Sequence, residues 1–232
     1  NMDLNNLILF FVLIGVGLFS YKYFIPIFKK KYIKLLVDDQ FDKPQAFHEL
    51  PVSMGGGLII FFSFLILLTD LLVFKNILFQ EYLLFCTLFF LLGFMDDIRI
   101  NIKPKIRLIL MIVFLVALVT YTDFHLKKTG IEFLNEWLQN SKVFSLIFIC
   151  LCFLFIINGA NLIDGYNGLL GFHSLIIFIN LFLVNYLNGN NDLANFLFFI
   201  IVILFPFIWF NFPKAEIFLG DSGSYLLGSL IA

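Results

Sequence analysis

The dominant feature of the sequence is a series of long apolar runs separated by short polar segments. A transmembrane helix needs about 20 predominantly apolar residues. Hydrophobic residues make up 61% of the 232 residues and charged residues only 13%, against about 45–50% and about 25% in a typical soluble domain. The runs cover roughly residues 4–25, 54–74, 79–95, 106–122, 143–159, 169–187 and 194–210, with an eighth beginning near 223. They predict an all-α, polytopic transmembrane helical bundle of about eight helices.

We interpret residues 1–232 as a single integral membrane domain. The first apolar run has no small-residue cleavage site after it, which predicts a retained helix rather than a signal peptide. The last run has no polar or charged flank after it, and the domain is therefore expected to be truncated at its C-terminal end. Between residues 123 and 142, Trp137 and polar ends predict a short interfacial helix.

Lysine and arginine residues divide unequally between two sets of loops. One set, with the adjoining helix ends, holds eleven of them and the other holds four. Because cytoplasmic loops carry the excess of positive charge, the first set is predicted to be cytoplasmic and the N-terminus to lie outside. The net charge is −1, and no basic stripe stands out beyond Lys29–Lys34, so nucleic-acid binding is not expected.

The first polar motif lies between the first two apolar runs. It extends from Asp42 to His48 and is followed by Gly55, Gly56 and Gly57. Glycines at a helix N-terminus let backbone N–H groups approach an anion closely. The segment is therefore a candidate anion site, with a flexible turn as the alternative. His48 by itself is more typical of a surface or packing position.

Two adjacent aspartates, Asp96 and Asp97, follow the third apolar run. Two carboxylates held together at a membrane boundary are costly unless a cation neutralises them. Mg²⁺ usually takes one or two carboxylates and leaves the rest of its shell to water and phosphate. The pair therefore predicts a magnesium site. A solvated acidic helix end is the alternative, although the negative end of the helix dipole disfavours aspartate there.

An amide-rich segment follows the fifth apolar run. Its residues Asn161, Asp164 and Asn167 are spaced by three, which on a helical turn places all three on one face. Such a face offers hydrogen-bond donors and acceptors to a nucleobase or a sugar. A tight turn is the alternative, because asparagine and aspartate also favour turns.

The fourth motif precedes the eighth run and places Asp221 between Gly220 and Gly223, ten residues after Asn211. Ser222 is a candidate N-cap for the helix that begins there. An ordinary turn is the alternative for this segment alone. However, all four motifs are predicted on the same face of the membrane, and this favours one shared site.

In order and spacing, the four motifs resemble those of the polyprenyl-phosphate N-acetylhexosamine-1-phosphate transferase family. The resemblance covers about Asp42–Gly228 and is most specific at Asp96–Asp97, Asn161–Gly168 and Asn211–Gly223. It implies a full protein of ten or eleven helices in the bacterial inner (plasma) membrane. It also implies an active site on the cytoplasmic face, and it makes a homodimer an expectation.

The resemblance further implies roles for individual residues. Asp96 and Asp97 would orient or deprotonate the lipid phosphate and, with Asp221, hold Mg²⁺, for which Mn²⁺ is a potential substitute. The other expected site residues are His48 and Asp164 in catalysis, Asn161, Asn167 and Asn211 around the nucleotide sugar, Phe218 stacked on uracil, and Lys103, Lys105 and Arg107 on the lipid phosphate. The last three are also typical of the positive charge that cytoplasmic loops carry.

The implied reaction transfers N-acetylhexosamine-1-phosphate from a UDP-sugar, such as UDP-N-acetylglucosamine, to undecaprenyl phosphate and releases UMP. Asn167 stands where the peptidoglycan enzyme has aspartate, and the lysine that follows the first-loop histidine in that branch has no counterpart after His48. These departures favour the branch that initiates surface polysaccharides such as lipopolysaccharide. The alternative is phospho-N-acetylmuramoyl-pentapeptide transferase of peptidoglycan synthesis.

A membrane transporter is the alternative from a different class. Transporters place ionisable groups in mid-bilayer and interrupt their helices there. The middles of these apolar runs hold no charged residue, which disfavours transport. A non-catalytic scaffold is disfavoured too, because it has no reason to gather carboxylates beside glycines on one face.

Overall fold

The computed structural model describes residues 4–29, 36–38, 52–75, 80–100, 102–122, 124, 126 and 129–232. His48 lies outside this range. Helices in the described part are α1 (Leu4–Lys29), α2 (Gly56–Lys75), α3 (Gln80–Asp97), α4 (Pro104–Tyr121), α5 (Glu132–Asn140), α6 (Lys142–Ile163), α7 (Leu169–Leu187), α8 (Asn191–Asn211) and α9 (Gly220–Ile231). A two-residue antiparallel pair joins β1 (Val37–Asp38) to β2 (Val52–Ser53). The predicted all-α class is confirmed.

Six of the described helices, α1, α2, α4, α6, α7 and α8, are long and apolar enough to cross a membrane. Their ends agree with the predicted runs to within a few residues, because hydrophobicity alone sets their length. Helices α3 and α6 continue past the apolar runs through Asp97 and Ile163. Asp96 and Asn161 therefore stand on helix ends rather than in loops. The predicted interfacial helix is α5, whose exposed Trp137 packs against Phe144.

Helix α9 lies at the centre of the described bundle, packed against α2, α3, α6 and α7. Every residue from Ser222 to Leu230 is buried, as expected for a helix surrounded by others. Glycines bring the neighbours close. A Cβ atom on Gly57 of α2 would lie 2.3 Å from the backbone nitrogen of Gly223, and one on Gly93 of α3 would lie 2.3 Å from the carbonyl oxygen of Asp221. Main-chain contacts therefore set the position of α9.

Replacing Gly93 with alanine is expected to destabilise the protein by roughly 1–3 kcal/mol, because the added methyl group collides with the α9 main chain. The matched control is Gly159→Ala in α6, where an added Cβ meets nothing within 4 Å and where alanine favours the helix. Thermal unfolding midpoints in detergent compare the two variants. Equal midpoints would contradict the close contact between α3 and α9.

The segment before α2 is hydrogen-bonded to the segment before α9. The amide of Phe218 donates to the carbonyl of Ser53 at 2.6 Å. In return, the amides of Gly56 and Gly57 donate to the carbonyls of Phe218 and Leu219 at 3.0 and 2.8 Å. The first and fourth motifs are thereby tied together through their main chains.

These bonds correct the interpretation of the triple glycine as an anion site. The amides of Gly56 and Gly57 are occupied as described, and the amide of Gly55 donates to the Ser53 hydroxyl at 3.2 Å. None of the three is therefore directed at an anion. The glycines are needed for close approach instead, since a Cβ on Gly56 would lie 2.7 Å from the Phe218 carbonyl oxygen.

Candidate active site

Four helix ends meet at one end of the bundle and carry predicted site residues. The C-terminal turns of α3 and α6 contribute Asp96 and Asn161, and the N-terminal turns of α4 and α9 contribute Arg107 and Asp221. Hydrogen bonds and ion pairs join the four side chains. The structure thus brings the second, third and fourth motifs to a single place.

Arg107 lies between two carboxylates. Its Nη1 atom contacts Oδ2 of Asp96 and lies 3.3 Å from Oδ2 of Asp221. The guanidinium carbon is 5.7 Å from the centre of the Tyr225 ring, within the range of a cation–π contact. The side chains of Asp96, Arg107 and Asp221 are 15%, 24% and 38% exposed. All three are therefore within reach of a dissolved ligand.

The Asp221 carboxylate is oriented by an asparagine on another helix. Nδ2 of Asn161 donates to Oδ1 of Asp221 at 2.9 Å and to Oγ of Ser224 at 2.8 Å. The Ser224 hydroxyl in turn donates to the Asp221 carbonyl at 3.1 Å. With Arg107 on Oδ2, both carboxylate oxygens of Asp221 have a protein donor in the part of the chain that the structure describes.

Asp97 points away from Arg107 and towards α9. Its Oδ1 accepts the amide of Asp221 at 2.8 Å and its Oδ2 accepts the amide of Ser222 at 3.0 Å. The residue is 3% exposed. Burial raises the pKa of Asp97 to about 7, while the hydrogen bonds from Ser222 act in the opposite direction. The solvated acidic helix end, weighed as the alternative for this pair, is not what the structure contains.

Asp164 follows the last residue of α6 and faces the same carboxylates. Burial raises its pKa well above the usual range of an aspartate, and the negative charges of Asp221 and Asp97 act in the same direction. An aspartic acid that retains its proton can donate a hydrogen bond or serve as a general acid. The catalytic use of Asp164 stays a prediction.

Two predicted substrate-binding residues make hydrogen bonds with main-chain groups of the segments before α7 and α9. Nδ2 of Asn167 donates to the Pro213 carbonyl at 3.2 Å at the surface. Asn211 is 5% exposed, accepts the amide of Gly168 and donates to the Ile217 carbonyl at 2.8 Å. Asn161, Asp164 and Asn167 do not share one helical face, because α6 ends at Ile163.

The remaining predicted residues lie around the cluster. Lys103 and Lys105 are exposed at the start of α4, where Pro104 takes an early helical position. Phe218 is partly buried, and its main chain is paired with Ser53 as described.

The sequence-based prediction missed Ser224 and Tyr225. Ser224 lies three residues after Asp221 on α9, a spacing that places two side chains on the same helical face, and this was the available signal. Tyr225 carries no comparable signal, because its contact with Arg107 depends on how α4 packs near α9.

Within the described residues, no group of three His, Cys, Asp or Glu side chains is arranged to hold a metal ion. Mg²⁺ needs fewer protein ligands, since one or two carboxylates are usual and substrate phosphates complete its shell. Asp96 and Asp221 are hard oxygen donors that contact the same positively charged group of Arg107. Their chemistry therefore fits Mg²⁺ shared with a phosphate-bearing ligand.

Residues 79–232, from the start of α3 to the end of the chain, match the family model of glycosyl transferase family 4. The match includes Asp96, Arg107, Asn161 and Asp221. The chain belongs to glycosyl transferase family 4. This membership confirms the resemblance to the polyprenyl-phosphate hexosamine-1-phosphate transferases.

Three similar proteins within this family are named phospho-N-acetylmuramoyl-pentapeptide transferase. That of Dictyoglomus turgidum is 34% identical and aligns with 98% of the chain and 73% of its own length. That of Dictyoglomus thermophilum is 29% identical (96% and 71%), and that of Nitratiruptor sp. is 30% identical (77% and 58%). The chain therefore spans between about three fifths and three quarters of the length of these relatives.

The names of these relatives favour the peptidoglycan branch. This branch was the alternative in the sequence-based prediction, because the sequence departures favoured the surface-polysaccharide branch. The departure at Asn167 remains a sequence argument for the surface-polysaccharide branch.

Proposed function

We propose that this protein transfers phospho-N-acetylmuramoyl-pentapeptide from its uridine diphosphate carrier to a polyprenyl phosphate such as undecaprenyl phosphate. The observation that carries the proposal is the junction of Asp96, Arg107, Asn161 and Asp221. It occurs in a chain 34% identical to a phospho-N-acetylmuramoyl-pentapeptide transferase. The predicted topology places this junction on the cytoplasmic side of the bacterial inner membrane, where a soluble nucleotide and a lipid phosphate can meet.

In the proposed reaction, an oxygen of the lipid phosphate attacks the β-phosphorus of the nucleotide. The bond between that phosphorus and the bridging oxygen breaks, and UMP leaves with the bridging oxygen. A phosphate monoester is already largely ionised at neutral pH, so the reaction has little need of a strong base. Catalysis by positioning and by charge neutralisation is the mode typical of phosphoryl transfer.

Each residue of the junction has a task in this scheme. Asp96 and Asp221 would hold Mg²⁺, which when bound neutralises diphosphate charge. Arg107 provides a guanidinium suited to phosphate oxygens, and Asn161 holds the Asp221 carboxylate in a fixed orientation. Asp164, with its raised pKa, is available to donate a hydrogen bond to the bound nucleotide sugar.

The second candidate is transfer of N-acetylglucosamine-1-phosphate, as in the initiation of surface polysaccharides. It is supported by the absence of a lysine between His48 and Pro51. The chemistry at the diphosphate is the same, and only the sugar and its peptide differ.

The test measures UMP release by the full-length protein in lipid nanodiscs that contain undecaprenyl phosphate. UDP-N-acetylmuramoyl-pentapeptide is expected to release UMP with Mg²⁺ and to release none after chelation with EDTA. UDP-N-acetylglucosamine is expected to be inactive. UMP from UDP-N-acetylglucosamine alone would favour the second candidate, and no UMP from either donor would refute both.

A further inference from the structure

We infer that Asp97 is a positioning residue: its carboxylate caps the N-terminus of α9 and thereby fixes the main chain that carries Asp221. Sequence resemblance assigns both aspartates of the pair to Mg²⁺ and the lipid phosphate. The geometry separates them, because Asp96 contacts Arg107 while Asp97 binds the first turn of α9.

The first turn of α9 needs an acceptor from elsewhere in the protein. The first four N–H groups of a helix have no intrahelical partner. Leu219, which precedes α9, has helical dihedral angles and makes no capping hydrogen bond through its side chain. Ser222 is fully buried, so its amide has no solvent partner. The two oxygens of Asp97 accept the amides of Asp221 and Ser222 and so supply the acceptors that this turn lacks.

The surroundings of Asp97 are shaped for this contact. Gly220 has a φ of +75°, and a Cβ there would lie 2.7 Å from Oδ2 of Asp97. Gly93, one turn earlier on α3, lets the carbonyl of Asp221 approach even more closely, at 2.3 Å from where a Cβ would stand. Glycine at both places allows the α9 main chain to reach the carboxylate.

Asp221 is consequently held at both its main chain and its side chain. Asp97 holds its amide, while Asn161 and Arg107 hold its carboxylate. Loss of the cap would release the first turn of α9 and displace the Asp221 carboxylate from its partners. Asp97 thus acts through Asp221, and only this effect on turnover rests on the proposed function.

Hydrogen–deuterium exchange of the full-length protein in detergent measures the cap without any substrate. In Asp97→Ala, the amides of Asp221 and Ser222 are expected to exchange about tenfold faster than in the wild type. Asp97→Asn is expected to lie between the two, because asparagine is also a good cap and retains one carbonyl acceptor. Asp96→Asn is the matched control and is expected to leave this exchange unchanged.

UMP release from the same variants separates the cap from direct contact with Mg²⁺ or substrate. A positioning role predicts that Asp97→Asn retains clearly more turnover than Asp97→Ala, in step with the amide protection. If Asp97 were instead a metal ligand or a base, Asp97→Asn and Asp97→Ala would lose turnover to the same extent. The inference would be overturned if the amides of Asp221 and Ser222 exchanged as slowly in both Asp97 variants as in the wild type. It would also be overturned if both variants lost turnover equally while these amides remained protected from exchange. If Asp97→Ala does not fold, the exchange rates of Asp97→Asn decide alone.

Discussion

Replacing Asp221 with asparagine is expected to reduce UMP release by about 100- to 1,000-fold, the loss typical of removing one charge-stabilising group from a preorganised site. The carboxylate of Asp221 contacts Arg107 and is oriented by Asn161. An amide of nearly the same shape occupies the same space, but it cannot neutralise a cation. Single-turnover release of UMP at saturating donor and Mg²⁺ measures the loss.

The matched control for this variant is Asp192→Asn. Asp192 is also an acidic residue in the first turn of a helix, α8, and its side chain is exposed. It lies roughly 28 Å along α8 from Asn211, the end of that helix near the site. Unchanged UMP release in Asp192→Asn, with equal unfolding temperatures for both variants, would isolate the effect to the site. Near-normal turnover in Asp221→Asn would remove Asp221 from the catalytic centre.

Replacing Asn161 with alanine is expected to reduce UMP release by about 10- to 100-fold, the cost typical of removing a residue that orients a metal ligand. Nδ2 of Asn161 is shared between the Asp221 carboxylate and the Ser224 hydroxyl. Without it, the carboxylate can rotate away from Arg107. The concentration of Mg²⁺ that supports half-maximal turnover is expected to rise, and a magnesium titration of turnover measures both effects.

Asn158→Ala is the control for this prediction. Asn158 lies three residues earlier on the same helix, and its Nδ2 donates to the Leu154 carbonyl at 2.8 Å and lies 3.5 Å from Sδ of Met111. Its loss therefore changes packing within α6 and against α4 without reaching Asp221. Equal losses of activity in the two variants would mean that Asn161 has only a structural role.

The helices were predictable from the sequence because burial in a bilayer requires long apolar runs, and such runs leave a clear pattern. The short helix α5 was predictable from the polar ends of its segment and from Trp137. The ends of α3 and α6 were less predictable. Their last turns are polar, and the pattern that marks a membrane span therefore stops before the helix does.

Most residues of the site were also predictable, but the separate contacts of Asp96 and Asp97 were not. Successive residues on a helix point about 100° apart, and Asp96 and Asp97 therefore face different neighbours. One contacts Arg107 and the other contacts the amides of α9. Which aspartate faces which neighbour depends on how α3 is rotated against α9, and a sequence motif does not contain that rotation.

The sequence by itself determined that this is a helical membrane protein whose acidic, amide and basic residues gather at the ends of its helices. The length of an apolar run and the types of residue that flank it are local properties, and they are readable one segment at a time. Only the tertiary structure decided that Asp96, Arg107, Asn161 and Asp221 meet, and that glycines let α9 lie against α2 and α3. Those outcomes depend on contacts between segments up to about 170 residues apart (Gly57 and Gly223), where close packing selects the partners.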